Sequence, residues 1–130
     1  MDKQAHNKQM ALAAFEAAFN QRDPAAAERY WSPGYIQHSA IIGPGREGLF
    51  ALIATLPPGA RYDNNLIMAE GDYVMMHGRY SGLATASMIA VDIFRIEDGL
   101  FAEHWDVLQD EATRASSLSG LPMFGDSFPS

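Results

Sequence analysis

The most informative segment of the chain is FAEHWDVLQ at residues 101–109. It is apolar enough to form a buried strand, yet it contains Glu103, His104 and Asp106. Ionisable side chains are rarely buried unless they are paired or used. Side chains alternate between the two faces of a strand, so His104 and Asp106 share one face, and Glu103 and Trp105 share the other. This pattern favours a pocket wall that carries an imidazole and a carboxylate. A structural ion pair at a sheet edge or dimer contact is the alternative.

Composition and charge narrow the class of protein. The chain has 130 residues, 48% of them hydrophobic, which is enough to bury a core as one domain. A formal net charge of −7 argues against nucleic acid or an anionic membrane surface as a partner. The absence of cysteine excludes disulfides, a thiolate nucleophile and a sulfur-ligated metal. The polar N-terminus is unlike a signal peptide, and no apolar run is long enough to span a membrane, so we expect a cytoplasmic protein.

The periodicity of apolar residues changes from helical to strand-like near residue 60. Before it, the pattern predicts helices over residues 4–20, 24–31 and 46–56, and a short strand over residues 35–39. After it, the pattern predicts strands over residues 62–70, 72–81, 84–96 and 100–109. Short glycine-containing turns join these strands, which indicates an antiparallel meander. Helices followed by a hairpin sheet predict an α+β domain with the helices on one face. We expect residues 110–130 to form an irregular tail anchored by Met123-Phe124.

The Asp98-Gly99 turn determines which side chains face one another in the last hairpin. If the turn closes there, Asp92 lies opposite Asp106 or His104, and Phe94 lies near His104. Two carboxylates beside a histidine can keep one carboxyl protonated while its neighbour is charged, which suits general acid and base chemistry near neutral pH. A slip of one residue in register would move these side chains to the opposite face.

Two more histidines, His38 and His77, lie inside apolar or aromatic strand segments. A single histidine in such a place is more often a core or interface group than a catalyst. Three histidines and two aspartates in one small sheet nevertheless make both residues candidates for contact with a substrate. The methionines are expected to fill the core or line an adaptable apolar pocket rather than bind a metal; they are Met68, Met75, Met76 and Met88.

Several segments together carry a family resemblance. They are YIQH at residues 35–38, GPGREG at 43–48, VDIFR at 91–95, and DG at 98–99 followed by EHWDVLQ at 103–109. These segments resemble the SnoaL-like proteins, which are related to polyketide cyclases and belong to the nuclear transport factor 2-like (NTF2-like) superfamily. The resemblance covers nearly the whole chain. It implies a single domain over residues 1–130, with a cone-shaped, strongly bent antiparallel sheet and N-terminal helices that close a pocket.

The resemblance also implies a type of reaction. Cyclase members carry out an intramolecular aldol condensation without metal or cofactor, using an aspartate on the last long strand as acid/base; Asp106 matches it. The preceding strand supplies a second polar residue, a histidine in the cyclases, where this chain has Asp92. Relatives on this fold include isomerases, dehydratases, epoxide hydrolases and non-catalytic binding modules, so the fold alone does not fix the function.

The residues present disfavour several other catalytic classes. The only lysines are Lys3 and Lys8, in or before the first helix, so a Schiff-base aldolase with a pocket lysine is not expected. The chain has no Gly-x-Ser-x-Gly elbow, dinucleotide fingerprint or phosphate-binding loop. We therefore predict an acid/base enzyme that acts on a small, largely apolar carbonyl compound, by aldol cyclisation or isomerisation, with no metal and no cofactor.

The predicted catalytic residues are Asp106, His104 and Asp92. Asp106 acts as the general acid/base, His104 or His38 orients it or binds the substrate oxygen, and Asp92 raises the pKa of Asp106 by like-charge repulsion. The predicted substrate-binding residues are Tyr35, His38, His77 and Phe94. Two alternatives stay open: a metal site built from the histidines and aspartates, although no closely spaced ligand motif exists, and a non-catalytic ligand-binding or dimerisation domain.

The odd-numbered residues of the last two strands predict a homodimer. If the even-numbered residues face the pocket, the opposite face carries Ile89, Val91, Ile93, Arg95, Phe101, Glu103, Trp105 and Val107. Monomers rarely expose a contiguous apolar patch of this kind, and an aromatic and aliphatic surface flanked by charges is typical of a two-fold interface. The Met123-Phe124 pair is expected either to anchor on its own domain or to reach the partner.

Overall fold

The computed structural model describes residues 2–129 and contains helices followed by a five-stranded sheet. The helices are α1 (Lys3–Phe15), α2 (Ala26–Tyr30) and α3 (Gly45–Thr55), and α1 continues into a π-helical turn at Glu16–Asn20. The strands are β1 (Trp31–Gln37), β2 (Arg61–Glu70), β3 (Tyr73–Ser81), β4 (Met88–Glu97) and β5 (Leu100–Asp110). Within the described residues, no helix combines the length and apolar character needed to cross a membrane.

The sheet is open, with strand order β1-β5-β4-β3-β2. Strands β2 to β5 form the predicted antiparallel meander, and the α+β class is confirmed. The sheet as a whole is mixed rather than antiparallel, because β1 pairs parallel to β5. Parallel neighbours need a long crossover connection, and the chain between β1 and β5 contains α3 and three strands. The inner face of the sheet is the one packed against the helices, and the outer face is the opposite one.

The β4–β5 hairpin closes at the predicted Asp98-Gly99 turn, where Glu97 pairs with Leu100 and Ile96 with Phe101. Both turn residues have positive φ, 54° and 75°, as a two-residue type I′ turn requires. Asp92 pairs with Asp106, and Phe94 pairs with His104. Cross-strand partners share a face, so all four side chains lie on one side of the sheet. A regular ladder from this two-residue turn would pair Asp92 with Trp105, so the observed register also requires one extra residue in β5.

A β-bulge near the turn corrects the predicted outer face. Arg95 pairs with Glu103 while Ile96 pairs with Phe101, which leaves Ala102 as an extra residue in β5. The bulge reverses the alternation of side chains, so Phe101 joins Ile96 on the inner face and is fully buried. The prediction that Phe101 lies on the outer face is therefore wrong, whereas Glu103 and Trp105 beyond the bulge keep the predicted side.

Strand β1 starts earlier than the sequence pattern predicts, at Trp31 instead of Tyr35. The indole of Trp31 is fully buried and lies edge-on to Phe50 and Phe101, at 5.1 Å and 4.9 Å between ring centroids. Burial of this ring outweighs the helical tendency of the preceding residues. The Ser32-Pro33-Gly34 segment lies inside the strand, where the pairing with β5 is irregular.

Strand β4 starts later than predicted, at Met88 instead of Ala84. Strand β3 ends at Ser81 and β5 ends at Asp110, so residues 84–86 extend past both partner strands, and Ser87 keeps one backbone hydrogen bond, accepted from the Glu111 N–H at 2.8 Å. The chain from Gly82 to Ser87 is instead a loop.

An aromatic core joins the helices to the inner face of the sheet. Phe15 at the end of α1 packs within 6.5 Å, centroid to centroid, of five rings: those of Phe19, Trp31, Tyr62, Phe94 and Phe101. Ring pairs at such distances add to the stabilisation that comes from buried area. The core therefore fixes the position of α1 over the centre of the sheet.

The segment after β5 packs back on its own domain. Glu111 is buried and accepts hydrogen bonds from Arg79, at 2.6 Å from Nη2, and from Ser87 Oγ, at 2.7 Å. The Arg79 guanidinium also lies over the ring of Phe124, at 4.2 Å. The Met123 sulfur accepts a hydrogen bond from the Ala112 backbone. Both members of the Met123-Phe124 pair thus contact their own domain.

Arg22, which precedes α2, holds the C-terminal end of α3. Its guanidinium donates to the carbonyl oxygens of Ile53, Leu56 and Pro57, at 2.7, 3.0 and 2.5 Å. Ile53 lies in the last turn of α3, Leu56 is its C-terminal cap and Pro57 follows, so the guanidinium adds donors where the intrahelical bonds run out. Within residues 2–129 no carboxylate pairs with Arg22; its two terminal nitrogens bond to these carbonyls, and its buried Nε has no hydrogen-bond partner.

We expect Arg22→Met to reduce the free energy of unfolding by about 2 kcal/mol, because charged donors to three carbonyls are lost while the aliphatic stem is kept. Urea denaturation monitored by circular dichroism measures the change. Arg29→Met is the matched control: Arg29 is exposed, its nearest carboxylate Asp23 is 4.0 Å away, and the expected loss is below about 1 kcal/mol. Equal losses of unfolding free energy in the two variants would contradict the stabilising role of the Arg22 hydrogen bonds.

Candidate active site

A cavity of about 150 Å³ lies between the inner face of the sheet and the helices. Its walls are aromatic and aliphatic, with polar side chains only from the predicted site and two tyrosines. The lining residues are Phe15, Phe19, Trp31, Tyr35, Ile41, Ile42, Leu49, Leu52, Leu56, Tyr80, Leu83, Met88, Asp92, Phe94, His104, Asp106 and Leu108. An apolar pocket with a few convergent polar groups is the usual form of a small-molecule site.

The centre of the site is a buried pair, Asp92 and His104. Their Oδ1 and Nε2 atoms are 2.7 Å apart. The other carboxylate oxygen of Asp92 accepts a hydrogen bond from the Tyr80 hydroxyl at 2.9 Å, and the other ring nitrogen of His104 lies 2.6 Å from Oε1 of Gln37. All four groups come from neighbouring strands of the sheet, and the turn and bulge of the β4–β5 hairpin together set the separation of the central two.

The orientation of the Gln37 amide shows where the protons of His104 lie. The backbone N–H of Ser39 donates to Gln37 Oε1 at 3.0 Å, and a backbone N–H can only donate. Oε1 is therefore the acceptor for His104 Nδ1, which must carry a proton. The second proton of the pair lies between Nε2 and Asp92 Oδ1. Neither ring nitrogen of His104 is left to bind a substrate, so the suggestion that His104 binds the substrate oxygen is corrected.

Asp106 is the least constrained acidic group in the cavity. It is half-buried, and its carboxylate forms no ion pair within residues 2–129. Burial raises its pKa above the ordinary value of 3.8; the Ser39 side chain and the His104 ring partly offset this, and the charge of Asp92 adds to it. Desolvation, rather than like-charge repulsion by Asp92, is thus the main cause of the shift.

Both tyrosines of the cavity stay protonated. Burial raises the pKa of Tyr80 well above its ordinary value, and the charge of Asp92 adds to this effect. Burial likewise raises the pKa of Tyr35, although the Trp31 and Gln37 side chains lower it in part. Each hydroxyl can therefore act as a hydrogen-bond donor near a carboxylate at neutral pH.

Two predicted site residues lie outside the cavity, and their placement corrects the sequence analysis. The ring of His38 stacks on Trp105 of the outer face, with centroids 4.9 Å apart, and its Nε2 lies 2.7 Å from Glu103. His77 pairs with Val91 and receives a hydrogen bond from Asn65 at 3.1 Å. His38 lies just after the end of β1, and the side chain of His77 is on the outer face of β3. Neither residue therefore lies on the inner face. The structure brings Asp92, His104, Asp106, Tyr35 and Phe94 together around the cavity.

Sequence reasoning missed Gln37 and Tyr80. Amides are common in strands, so the residue type of Gln37 carries no signal. The one available signal is the alternation of side chains along the strand. Tyr35 and Gln37 are two residues apart in a strand beside β5, so they lie on the same face. Tyr80 lies close to Asp92 because β3 pairs with β4. This proximity can be recognised only when the register of the two strands is known.

The two carboxylates and the imidazole of the cavity could also serve as ligands for a cation. Donor atoms of Asp92, His104 and Asp106 lie within 4.8 Å of one another. A metal ion would have to replace the short hydrogen bond between the first two. The arrangement as it stands holds a buried, neutralised pair next to a carboxylate of raised pKa, which is the arrangement expected of general acid/base chemistry.

Comparison with solved structures places the fold in the NTF2-like class. TsrD from Streptomyces laurentii shares 28% identity over 84% of this chain and 91% of its own, with a TM-score of 0.68. AclR, a proposed hydroxylase from Streptomyces galilaeus, shares 26% identity over 82% of this chain and 80% of its own, with a TM-score of 0.68. A proposed ketosteroid isomerase from Kribbella flavida shares 14% identity over 97% of each chain, with a TM-score of 0.74, and shows the fold alone.

The sequence model of the SnoaL-like domain matches residues 12–104. The chain therefore belongs to the SnoaL-like domain family, as the resemblance of its motifs predicted. No curated protein sequence matches the chain.

The raised pKa of Asp106 predicts a specific pH dependence of stability. For an acid whose pKa is higher in the folded than in the unfolded state, the stabilising contribution is present at low pH and is lost as the pH rises through the folded pKa. We expect wild type to lose stability relative to Asp106→Asn as the pH rises from below 3.8 towards neutrality. Denaturant unfolding at several pH values measures the difference. Asp110→Asn, at the exposed end of the same strand, controls for the removal of one negative charge. If the stability of Asp106→Asn relative to wild type stays constant or falls as the pH rises, the raised pKa of Asp106 is contradicted.

Proposed function

We propose that this protein is a cofactor-independent acid/base enzyme that acts on a small, largely apolar carbonyl compound. The single observation that carries this proposal is the position of Asp106, a carboxylate of raised pKa in an apolar cavity, next to a buried Asp92–His104 pair. Membership of the SnoaL-like domain family supports a catalytic role in general. The alternative is a non-catalytic small-ligand-binding domain of the same fold.

In the proposed mechanism Asp106 is the general base. Its carboxylate accepts a proton from the carbon next to the carbonyl group, the C–H bond breaks, and its electron pair forms an enolate. If a C=C bond is conjugated with the enolate, return of the proton from Asp106 to the far carbon gives an isomerisation. If the enolate carbon attacks a second carbonyl in the same molecule, a C–C bond forms, the C=O π bond breaks, and the resulting alkoxide takes the proton from Asp106, which gives an aldol cyclisation. The His104 ring, held by Asp92 and Gln37, favours the ionised form of Asp106, so that the carboxylate is available as a base.

The cavity limits the size and charge of the proposed substrate. A volume of about 150 Å³ suits a compound of about one six-membered ring. The described lining contains no arginine or lysine, and two aspartates lie at its polar end, which disfavours carboxylate or phosphate substrates. A neutral, ring-sized ketone such as cyclohexanone is thus a suitable probe.

We expect the wild-type protein to accelerate exchange of the α-protons of cyclohexanone in D₂O, measured by ¹H NMR. Asp106→Asn keeps the shape of the side chain but removes the base, so the enzymatic rate should fall by roughly 10² to 10⁴. Asp110→Asn is the matched control and should retain the wild-type rate, because Asp110 is exposed and outside the cavity.

The results distinguish the two candidate functions. Binding of cyclohexanone without any exchange above the buffer rate supports the binding domain instead of the enzyme. Exchange that survives in Asp106→Asn would require a different base, since Asp92 is already bonded to Tyr80 and His104.

We also propose that the protein forms a homodimer through the outer face of its sheet. Cross-strand neighbours on this face join into one apolar surface, and several are exposed: Leu66, Met68, Tyr73, Met75 and Val107. Charged side chains lie at one end, where Glu103 accepts a hydrogen bond from Arg95 at 3.0 Å and contacts His38. An apolar centre with a charged rim supports a two-fold contact between copies.

Val107→Glu should shift the protein from dimer to monomer, because Val107 is 72% exposed on this surface beside Val91 and a charge there would be buried without a partner. Sedimentation velocity at micromolar concentration measures the change. Leu118→Glu places the same charge on an exposed leucine of the tail and should leave the dimer intact. A wild-type protein that sediments as a single chain would contradict the proposal.

A further inference from the structure

The proposed mechanism leaves one requirement unmet, a donor for the oxygen of the substrate. Negative charge that develops on this oxygen must be stabilised by a hydrogen bond or a positive group. Both ring nitrogens of His104 are occupied, by Asp92 and by Gln37. The hydroxyl of Tyr80 donates to Asp92. Among the described lining residues, this leaves two donors, the Trp31 indole N–H and the Tyr35 hydroxyl. The Trp31 side chain acts on the Tyr35 hydroxyl and lowers its pKa in part, so the donor considered for the substrate is the Tyr35 hydroxyl.

The Gln37 amide determines how the Tyr35 hydroxyl is used. Because the Ser39 N–H fixes Oε1 of Gln37, the amide nitrogen Nε2 must be the atom that faces Tyr35, at 3.1 Å from its oxygen. An amide nitrogen can only donate, so the tyrosine oxygen accepts this bond. The hydroxyl proton of Tyr35 remains, and within residues 2–129 no acceptor lies at hydrogen-bonding distance from it.

The position of Tyr35 suits donation to a bound molecule. Its ring lines the cavity and is nearly parallel to that of His104, with centroids 6.5 Å apart. Its side chain is buried, so bulk water competes little for the proton. The charges of Asp92 and Asp106 both act on the hydroxyl, which places it at the same end of the cavity as the proposed base.

We propose that the Tyr35 hydroxyl donates the hydrogen bond that holds the carbonyl oxygen of the substrate, and that Gln37 is the positioning residue that leaves this proton free. The inference rests on the proposed function and adds to it the group that meets the oxygen. Asp106 then acts on the adjacent carbon, while Tyr35 stabilises the enolate oxygen. Gln37 thereby sets the protons of two neighbours at once, Nδ1–H on His104 and O–H on Tyr35.

The test measures the carbonyl stretch of ¹³C=O-labelled cyclohexanone bound to the protein by infrared difference spectroscopy. A hydrogen bond from Tyr35 lowers the frequency in wild type, and Tyr35→Phe should move the band towards its position in an apolar solvent. The same variant should bind the ketone about fivefold more weakly, as the loss of one hydrogen bond predicts. Tyr73→Phe, on the outer face, is the matched control and should leave the band unchanged.

Gln37→Glu tests the positioning role while Tyr35 is kept. The second carboxylate oxygen would take the place of the amide nitrogen and accept the Tyr35 proton, so the band should move as it does in Tyr35→Phe. The first carboxylate oxygen still accepts from His104, so ¹⁵N NMR should show Nδ1 protonated in both wild type and Gln37→Glu. Gln37→Met, which lacks any acceptor, should lose this Nδ1–H signature.

Each contrary result has a distinct meaning. Identical bands in wild type and Tyr35→Phe, an unshifted band in Gln37→Glu, or an unprotonated Nδ1 in wild type would overturn the inference, and the exchange assay would still test Asp106 as the base. A shifted band without α-proton exchange would overturn the proposed enzyme and keep Tyr35 as the oxygen donor. Absence of saturable cyclohexanone binding at millimolar concentration would overturn both.

Discussion

The buried hydrogen bond between Asp92 and His104 is the constraint on which most of this structure depends. An aspartate and an imidazole inside an aromatic core are tolerated only if each is paired and every remaining polar atom is satisfied. Tyr80 satisfies the second oxygen of Asp92, and Gln37 satisfies the second nitrogen of His104. The pairing therefore requires three strands besides β4 itself to be in register. The order of the strands and the geometry of the site therefore depend on each other.

The two faces of the sheet differ in character. The inner face carries the cavity and the acidic groups, and the outer face carries an apolar surface with His38, Glu103 and Arg95 at one end. Strand alternation makes this division possible, because neighbouring residues in β5 serve opposite sides. Glu103 and His104 illustrate this: one contributes to an exposed ion pair, and the other to the buried pair.

The sequence was sufficient to predict the last hairpin, its two-residue Asp-Gly turn and the shared face of His104 and Asp106, because turn chemistry and alternation are displayed directly by a single sequence. The pairing of Asp92 with Asp106 was one of two registers that the sequence allowed, and the bulge at Ala102, not the turn alone, selects it. The change in apolar periodicity near residue 60 predicted the α+β class with the helices on one face, and the family resemblance added the pocket that the helices close. The same reasoning also gave the correct side for Glu103 and Trp105.

The remaining errors arise where distant parts of the chain decide the outcome. The bulge at Ala102 is invisible in the sequence, because alternation alone predicts an outward Phe101. The sequence pattern assigns Trp31 to a helix, whereas its burial depends on rings from α3 and β5. The pattern assigns His38 to the cavity, although it stacks on Trp105, a contact between β5 and the residue after β1. Gln37 and Tyr80 become recognisable only when their neighbours in the sheet are known. Gln37 contacts His104, which is 67 positions away, and Tyr80 contacts Asp92 across the β3–β4 pairing.

The extra residue in β5 also governs how this chain can change in length. Insertion of one residue between the turn and His104 would exchange the faces of the rest of the strand, and Glu103 and Trp105 would enter the cavity in place of the acid/base groups. Deletion of Ala102 would instead remove the bulge and leave the observed pairs in place. Insertion of two residues would restore the faces but displace His104 from Asp92 by roughly 6.6 Å along the strand. The loop at residues 82–87 and the tail carry no such penalty. Additional residues among relatives that keep this site are therefore expected to accumulate there, while β5 gains no residue between the turn and His104.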